Sequence, residues 1–87
     1  MKLSQTAQFK KDIQRLLRQG KDQRKLADVV SLLLAGMPLP SKHRDHPLKG
    51  YWKGRRDCHI EPDWILVYRT TQDELRLERT GTHSDLF

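Results

Sequence analysis

The hydrophobic period of this sequence changes once along the chain, and that change limits the folds open to it. In residues 1–40 apolar side chains recur every three or four positions, as at Phe9, Ile13 and Leu16. This is the period of an amphipathic helix. From about residue 48 the apolar positions alternate with polar ones, which is the period of a strand. Helices followed by a run of strands indicate an α+β fold.

Two helices are predicted in the first half. Gly20 is placed to end the first helix, because a glycine adopts positive φ without a steric cost, and Asp22 can cap the second. The second apolar stripe covers residues 26–33 and stops before Gly36. The short connection predicts an antiparallel helical hairpin. A short strand is expected before the first helix, at residues 1–4.

Three strands are predicted in the second half. The first covers residues 51–60, and its second parity is polar throughout, which predicts a wet, basic face. Residues 64–68 are apolar on both parities and predict a central strand, and Leu75 and Leu77 belong to a third strand. The tail from Thr80 is predicted to be irregular. The order is therefore β-α-α-β-β-β, with the helical hairpin on one face of a small, mainly antiparallel sheet.

The charge balance favours a polyanion or an acidic partner. The 87 residues carry 17 Lys and Arg against 11 Asp and Glu, a net charge of +6. Cys58 is the one cysteine, which excludes a disulfide framework and fits a reducing compartment. No apolar run approaches a membrane span, and the N-terminus lacks a signal-peptide core. We therefore expect one cytoplasmic domain over residues 1–87, with no membrane association.

Four histidines lie outside the predicted helices, where they are either ordinary surface residues or proton carriers. His43-x-x-His46, Cys58-His59 and His83 match none of the usual zinc spacings, so neither a metal nor a cofactor is predicted. Cys58 and His59 are neighbours in a strand and point to opposite faces. They are therefore not expected to form a nucleophilic pair.

A basic segment follows the helices. Lys49, Lys53 and Arg55 share one parity with Tyr51, so cationic groups that neutralise phosphates lie beside a ring that can stack on a base. Arg56 has the opposite parity and is the least certain member of this set. A solvated basic face without a ligand is the alternative.

Two further residues are ambiguous by pattern alone. Trp64 is more typical of a core position in the central strand than of a base platform. Arg79 shares the parity of the apolar Leu75 and Leu77, unless a bulge or the strand end near Thr80 and Gly81 redirects it.

Three blocks of the sequence then form a recognisable set: D-H-P-L-K-G at 45–50, H-I-E-P-D-W at 59–64 and E-R-T-G-T-H-S-D-L-F at 78–87. Together they closely resemble the YafQ family of bacterial toxins, within the RelE/ParE superfamily. The resemblance covers essentially the whole chain, although the N-terminal helices match only in pattern. It implies a RelE-like β-α-α-β-β-β domain, in agreement with the order derived from periodicity.

The resemblance also implies a function, that of a toxin of a type II toxin–antitoxin system. Such a toxin is a ribosome-dependent endoribonuclease that cleaves mRNA by metal-independent attack of a 2′-OH on the adjacent phosphate. The active-site positions that carry over are His46, His59, Asp63, Arg79, His83 and Phe87.

Each of these residue types suits that reaction. His46 is expected to act as base and His83 as acid, and Arg79 to stabilise phosphorane charge. Asp63 is expected either to orient an imidazole or to accept a proton itself. Phe87 or Trp64 would stack on a splayed base. The residues expected to bind substrate are Lys49, Tyr51, Lys53, Arg55, Arg56, Trp64 and Phe87.

The expected partners are mRNA, the 70S ribosome and a cognate acidic antitoxin that orders on binding. The toxin alone should be monomeric, and the complex should be a heterotetramer through an antitoxin dimer. Operator DNA should be bound only through the antitoxin. The alternative class is a binding protein on the same fold, either a non-catalytic RNA-binding module or a ParE-like gyrase inhibitor.

Overall fold

The computed structural model describes residues 1–87 and confirms the α+β fold and the order of its main elements. The helices are α1 (Ala7–Arg18), α2 (Gln23–Leu34) and α3 (His83–Leu86). The strands are β1 (Lys2–Gln5), β2 (His46–Pro47), β3 (Arg56–Glu61), β4 (Trp64–Thr70) and β5 (Glu74–Gly81). Two single 3₁₀ turns, at Ser41–His43 and Gly50–Trp52, precede β2 and β3 respectively.

The five strands form one sheet in the order β1-β5-β4-β3-β2. β1 runs parallel to β5, and the remaining pairs are antiparallel. The apolar run at Trp64–Tyr68 is buried throughout, which confirms it as a central strand. None of the helices has the length and apolarity needed to cross a bilayer.

The helix ends lie where the local sequence predicts them. Thr6 caps α1 by accepting from the Phe9 amide, and Gly20 follows the helix with φ +86°. Asp22 caps α2 through the amide of Arg24. α1 packs on β5 and α2 on β3, so both helices cover the same face of the sheet.

The sheet has an apolar cluster on each face. The larger cluster lies under α1 and α2 and contains twelve buried residues, among them Phe9, Leu16 and Trp64. The smaller cluster lies on the other face and consists of Ile65, Val67 and Leu86, flanked by the half-buried Leu48 and Trp52. α3 and the turn before β3 therefore cover part of the face that the helical hairpin leaves open.

The predicted strand at 51–60 is wrong in its first half. The chain turns there, because Gly50 and Gly54 hold φ values of +63° and +89°, and β3 begins only at Arg56. Trp52 consequently packs on the opposite face from Cys58 and Ile60. The polar face is also not wet throughout, since Asp57 is only 4% exposed.

The predicted irregular tail is also wrong. β5 continues to Gly81, and Thr82 then caps the single-turn helix α3. The Thr82 hydroxyl accepts from the Asp85 amide, while the Asp85 carboxylate accepts from the Thr82 amide. This capping box accounts for the tail's order, and it is a local signal that the sequence contains.

Candidate active site

Strand pairing brings the candidate residues into two rows across the face opposite α1 and α2. In one row, His46 of β2 lies beside Asp57 of β3, which lies beside Val67 of β4. In the next row, His59 lies beside Ile65. Directly opposed residues of antiparallel strands project from the same face. His46 and His59 therefore lie on the same face of the sheet, the one that carries the smaller apolar cluster.

His83, the first residue of α3, is fixed by Asp63 in the β3–β4 turn. Asp63 Oδ1 accepts from the His83 backbone amide at 3.0 Å and from Nδ1 at 2.7 Å. Both hydrogen bonds hold the pKa of Asp63 below its usual value, and the one from the backbone amide has the larger effect. Asp63 is therefore an ionised acceptor that holds the His83 imidazole in place.

His59 lies next to His83, with ring centroids 5.4 Å apart and planes inclined by 57°. Its Nδ1 is 3.1 Å from the Pro62 carbonyl, and its own carbonyl accepts from His43 Nδ1 at 2.6 Å. His43 thus supports the backbone at His59 rather than entering the site itself.

His46 is the third imidazole, half-exposed at the edge of the sheet. Its Nδ1 lies 2.7 Å from the Arg44 carbonyl, and its Nε2 lies 3.2 Å from Asp57 Oδ1. Arg44, whose carbonyl contacts His46, is the one non-glycine residue with a positive φ, at +48°. Such a conformation costs free energy and is common at functional sites.

The three imidazoles share one tautomeric constraint. Each Nδ1 faces an acceptor, a carbonyl oxygen for His46 and His59 and a carboxylate for His83. A carbonyl oxygen can only accept, so the hydrogen-bond network assigns the proton to Nδ1 in each ring. Nε2 is therefore the free ring atom of His59 and His83, whereas Nε2 of His46 faces Asp57 Oδ1.

Arg79 is redirected by a bulge, one of the two outcomes that the sequence left open. The register shifts between Val67 and Tyr68, so that Arg79 pairs with Val67 while Leu77 pairs with Tyr68. Its Nε and Nη2 donate to the Asp12 carboxylate at 2.8 and 3.3 Å. Nη1 is the guanidinium nitrogen left without a protein acceptor.

Asp12 holds Arg79 from within α1 and is completely buried. Burial alone would raise its pKa, but hydrogen bonds from Arg79, the Thr80 amide, Gln8 and Arg15 outweigh it and lower the pKa. Asp12 is thus an ionised residue that ties α1 to the end of β5.

The segment that carries His83 is closely packed. A Cβ added at Gly81 would lie 2.8 Å from Asp85 Oδ2 and 2.9 Å from Arg15 Nη2, closer than side chains tolerate. Arg15 also donates to the Thr80 carbonyl and to Asp85. The glycine therefore permits the approach that anchors α3 to α1.

Three aromatic rings lie together beside the histidines. Trp52 packs edge-on against Tyr51 at 5.4 Å and against Phe87 at 5.9 Å. Tyr51 is 89% exposed and Phe87 is 56% exposed, so both rings can stack on a base.

The expectation that Trp64 stacks on a base is wrong. The residue is 1% exposed in the larger core cluster, and its indole nitrogen donates to Thr80 Oγ1. A ring buried in the central strand has no surface on which a base could stack.

The basic residues differ in whether an acidic side chain pairs with them. Lys49 and Lys53 are exposed and have no acidic side chain within ion-pair distance. Arg55 pairs with Glu78 at 3.2 Å and stacks 5.7 Å above Trp52. Arg56 pairs with Asp45 on the other face, as its parity indicated.

A groove adjoins His59 on the α2 side. Its volume is about 550 Å³, and its wall includes Lys25, Lys42, Arg44 and Glu61. Lys25 is neutralised by Glu61 at 2.7 Å, whereas Lys42 and Arg44 have no such partner. The groove extends the basic surface beyond the segment that the sequence singled out.

Sequence reasoning missed Asp57 and Asp12. The alternation of β3 predicted that Asp57 lies on a solvent-exposed face. Because Asp57 is two positions before His59 in the same strand, the two side chains share a face, and this spacing could have pointed to Asp57 as a site residue. Asp12 lies among the cations of α1, and its contact with Arg79 spans 67 positions. No local pattern predicts such a contact.

No group of three His, Cys, Asp or Glu side chains in the structure is arranged to hold a metal ion. Cys58 is fully buried, and burial raises the pKa of its thiol to about 12. It is a core residue, as its parity predicted, and it lies on the opposite face from His59.

Comparisons with known proteins agree with this geometry. The family model described as the bacterial toxin YafQ of type II toxin–antitoxin systems matches residues 1–87. The chain is 49% identical over 83 residues to the mRNA interferase toxin YafQ of Escherichia coli K12, covering 94% of this chain and 90% of that one.

Solved structures give the same result. A chain of the E. coli DinJ–YafQ complex matches with TM-score 0.92 and 48% identity, over 98% of this chain and 96% of that one. A metal-bound toxin from Helicobacter pylori matches with TM-score 0.94 and 40% identity, over 100% and 99%. The resemblance seen in the sequence blocks is confirmed: the chain belongs to the YafQ family of bacterial toxins of type II toxin–antitoxin systems.

Proposed function

We propose that this toxin is an endoribonuclease that cleaves mRNA on the ribosome in the cytoplasm, by acid–base catalysis without a metal. Its relative in E. coli is named an mRNA interferase. The observation that carries the proposal is the pair of neighbouring imidazoles, His59 and His83, with a carboxylate, Asp63, fixed on one of them. A protein that only binds RNA has no need of this arrangement.

The reaction assigns one role to each group. A base removes the 2′-OH proton, the 2′ oxygen attacks the adjacent phosphate, and an acid protonates the leaving 5′ oxygen. We assign His46 as base and His83 as acid, with His59 beside them. Arg79 offers Nη1 to the phosphorane while Asp12 holds the rest of its guanidinium. Phe87 and Tyr51 are positioned to hold an unstacked base.

Induction of the chain alone, followed by mapping of transcript 5′ ends, tests the activity. We expect growth arrest and new 5′ ends within translated regions. Growth arrest with intact transcripts and altered DNA supercoiling would instead support the alternative of a gyrase inhibitor. Binding to RNA without new ends would support the non-catalytic module.

We further propose an acidic antitoxin as the partner, by analogy with the DinJ–YafQ complex. A net charge of +6 and unpaired Lys49 and Lys53 favour such a partner and would speed its encounter with the toxin. We expect a monomer for the toxin alone and a heterotetramer with the antitoxin, measured by light scattering. A stable toxin homodimer, or operator binding by the toxin alone, would contradict this arrangement.

A further inference from the structure

The buried carboxyl of Asp57 has no role in the mechanism above. It is 4% exposed, and its Oδ1 is fully enclosed without a hydrogen-bond partner. Burying an unpaired carboxylate is costly, and such groups are kept where they act on a neighbouring site. The basic side-chain atom within ion-pair distance of it is His46 Nε2, at 3.2 Å.

The hydrogen bonds of His46 make that contact informative. Its Nδ1 already donates to the Arg44 carbonyl at 2.7 Å, so a neutral ring presents a lone pair at Nε2. A lone pair facing an ionised carboxylate is repulsive. The contact becomes favourable only when one proton lies between Nε2 and Oδ1, on either atom.

The charged groups around Asp57 act on its pKa in opposite directions. Burial raises its pKa most, while His46, His59 and His83 oppose that rise and the neighbouring Asp45 adds to it. Three imidazoles from β2, β3 and α3 therefore act on this one carboxyl, and the β4 residue directly opposite it is the apolar Val67. Any proton that the histidines gain or lose changes the charge that surrounds Asp57.

We propose that Asp57 is a positioning residue for the cleavage reaction, whose carboxyl shares one proton with His46 and so sets the protonation state of that imidazole. The proposal rests on the assignment of His46 as base. The pair must lose its shared proton before Nε2 can accept one from the 2′-OH. The acidic limb of the cleavage rate against pH therefore belongs to the pair rather than to His46 alone.

The test compares the native toxin with Asp57→Asn, an isosteric change, in single-turnover cleavage of mRNA on preformed ribosome complexes across pH. We expect the acidic limb to move to lower pH by about one unit, because a neutral amide stabilises a cationic ring less than a carboxylate does. The rate at neutral pH should fall by roughly tenfold, because the amide N–H occupies the Nε2 lone pair. Asp73→Asn, in the exposed β4–β5 turn, should change neither quantity.

Two further readouts separate positioning from a merely structural role. Nitrogen-15 NMR should show that doubly protonated His46 persists to higher pH in the native protein than in Asp57→Asn. The variant should also be as stable as the native protein or more stable at pH 7, since it buries no ionisable carboxyl. An unshifted rate profile with lowered stability would overturn the proposal.

His46→Ala distinguishes this proposal from the one it rests on. If His46→Ala cleaves normally, the assignment of His46 is wrong and the proposed role of Asp57 is lost with it. If His46→Ala is inactive while Asp57→Asn is native in rate and profile, only the role of Asp57 is refuted. We expect Asp57→Asn to add no further loss in the His46→Ala background, as for two residues that act as a unit.

Discussion

The three site histidines are distinguished by what each ring nitrogen contacts. His59 and His83 have their Nδ1 occupied and no protein partner at Nε2, whereas His46 has contacts at both nitrogens. The side chain of His83 is also slightly more exposed than that of His46, at 56% against 50%. The ring on α3 is therefore the one that can be removed with least effect on the fold.

We expect His83→Ala to reduce cleavage by on the order of 10²-fold or more, the usual cost of a lost acid or base. The protein should remain folded, because the imidazole contributes nothing to either apolar cluster. Primer extension on a translated reporter measures cleavage, and circular dichroism reports the fold. Near-native cleavage by this variant would remove His83 from the mechanism.

Cleavage should also persist without a transition metal. A relative from H. pylori is described as metal-bound, yet the chain arranges no three ligands around one point. Chelators that take zinc and copper but spare Mg²⁺ keep the ribosome intact during the assay. Loss of activity on chelation, restored by stoichiometric zinc, would show that the histidines bind a catalytic metal.

At the scale of elements, two short pieces decide where the site residues lie. β2 is only two residues long, and its pairing with β3 sets His46 beside Asp57. α3 is a single turn, and its cap and its contact with Arg15 hold His83 over the β3–β4 turn. Such short elements have little stability of their own, so we expect the loss of their caps and ion pairs to lower the cleavage rate.

Thr82→Ala should weaken α3 by about 1 kcal/mol, the typical cost of a lost N-cap, and lower the cleavage rate by mobilising His83. Thr71→Ala is the matched control. Its hydroxyl accepts from the Glu74 amide in the β4–β5 turn, so its loss should affect stability but not cleavage. Urea unfolding and cleavage rates measured on both variants make the comparison. Equal effects on cleavage would mean that α3 needs no cap to position His83.

The junction of α1 with β5 should make the protein sensitive to acid. Since the folded-state pKa of Asp12 is lowered, the stability it provides is fully present above its ordinary value of 3.8. That stability is lost as the pH falls through the lower folded-state value.

Asp12→Asn should therefore cost about 3 kcal/mol at pH 7, the scale for breaking a buried pair, and progressively less below pH 4. Chemical unfolding at a series of pH values measures the difference. Asp28→Asn, an exposed carboxylate on α2, is the control. A loss for Asp12→Asn that stays constant from pH 7 to pH 3 would show that its ionisation contributes nothing.

At the scale of the whole molecule, positive charge surrounds the histidine face. Lys49 and Lys53 precede β3, while Lys42 and Arg44 line the groove beside His59. None of the four has an acidic side chain within ion-pair distance. A surface of unpaired cations around the proposed acid–base site suits a polyanionic substrate.

Charge reversal at Lys49 and Lys53 should weaken ribosome binding and reduce its salt dependence by about one slope unit for each lost phosphate contact. Lys2→Glu with Arg69→Glu is the control, since these exposed residues lie on β1 and at the far end of β4. Affinities measured between low and physiological salt give the slope. Equal losses for both pairs would indicate a general effect of net charge.

The sequence by itself determined the main elements and their order, though not β2 or α3, because helix caps, turn glycines and hydrophobic periods are local. Gly20, Asp22 and the apolar run of β4 all function as their patterns predict. The three sequence blocks that resemble the family also pointed to His46, His59, Asp63 and His83, although their roles remain predictions.

Only the tertiary structure decided which of these residues meet. The bulge at Glu78 turns Arg79 toward Asp12, and strand pairing encloses Asp57 against His46. The packing of the sheet also buries Trp64, so that this ring cannot stack on a base. Each outcome depends on contacts between distant positions, and burial and ionisation depend on everything packed around a group. A period of two or of 3.6 residues carries no information about such contacts.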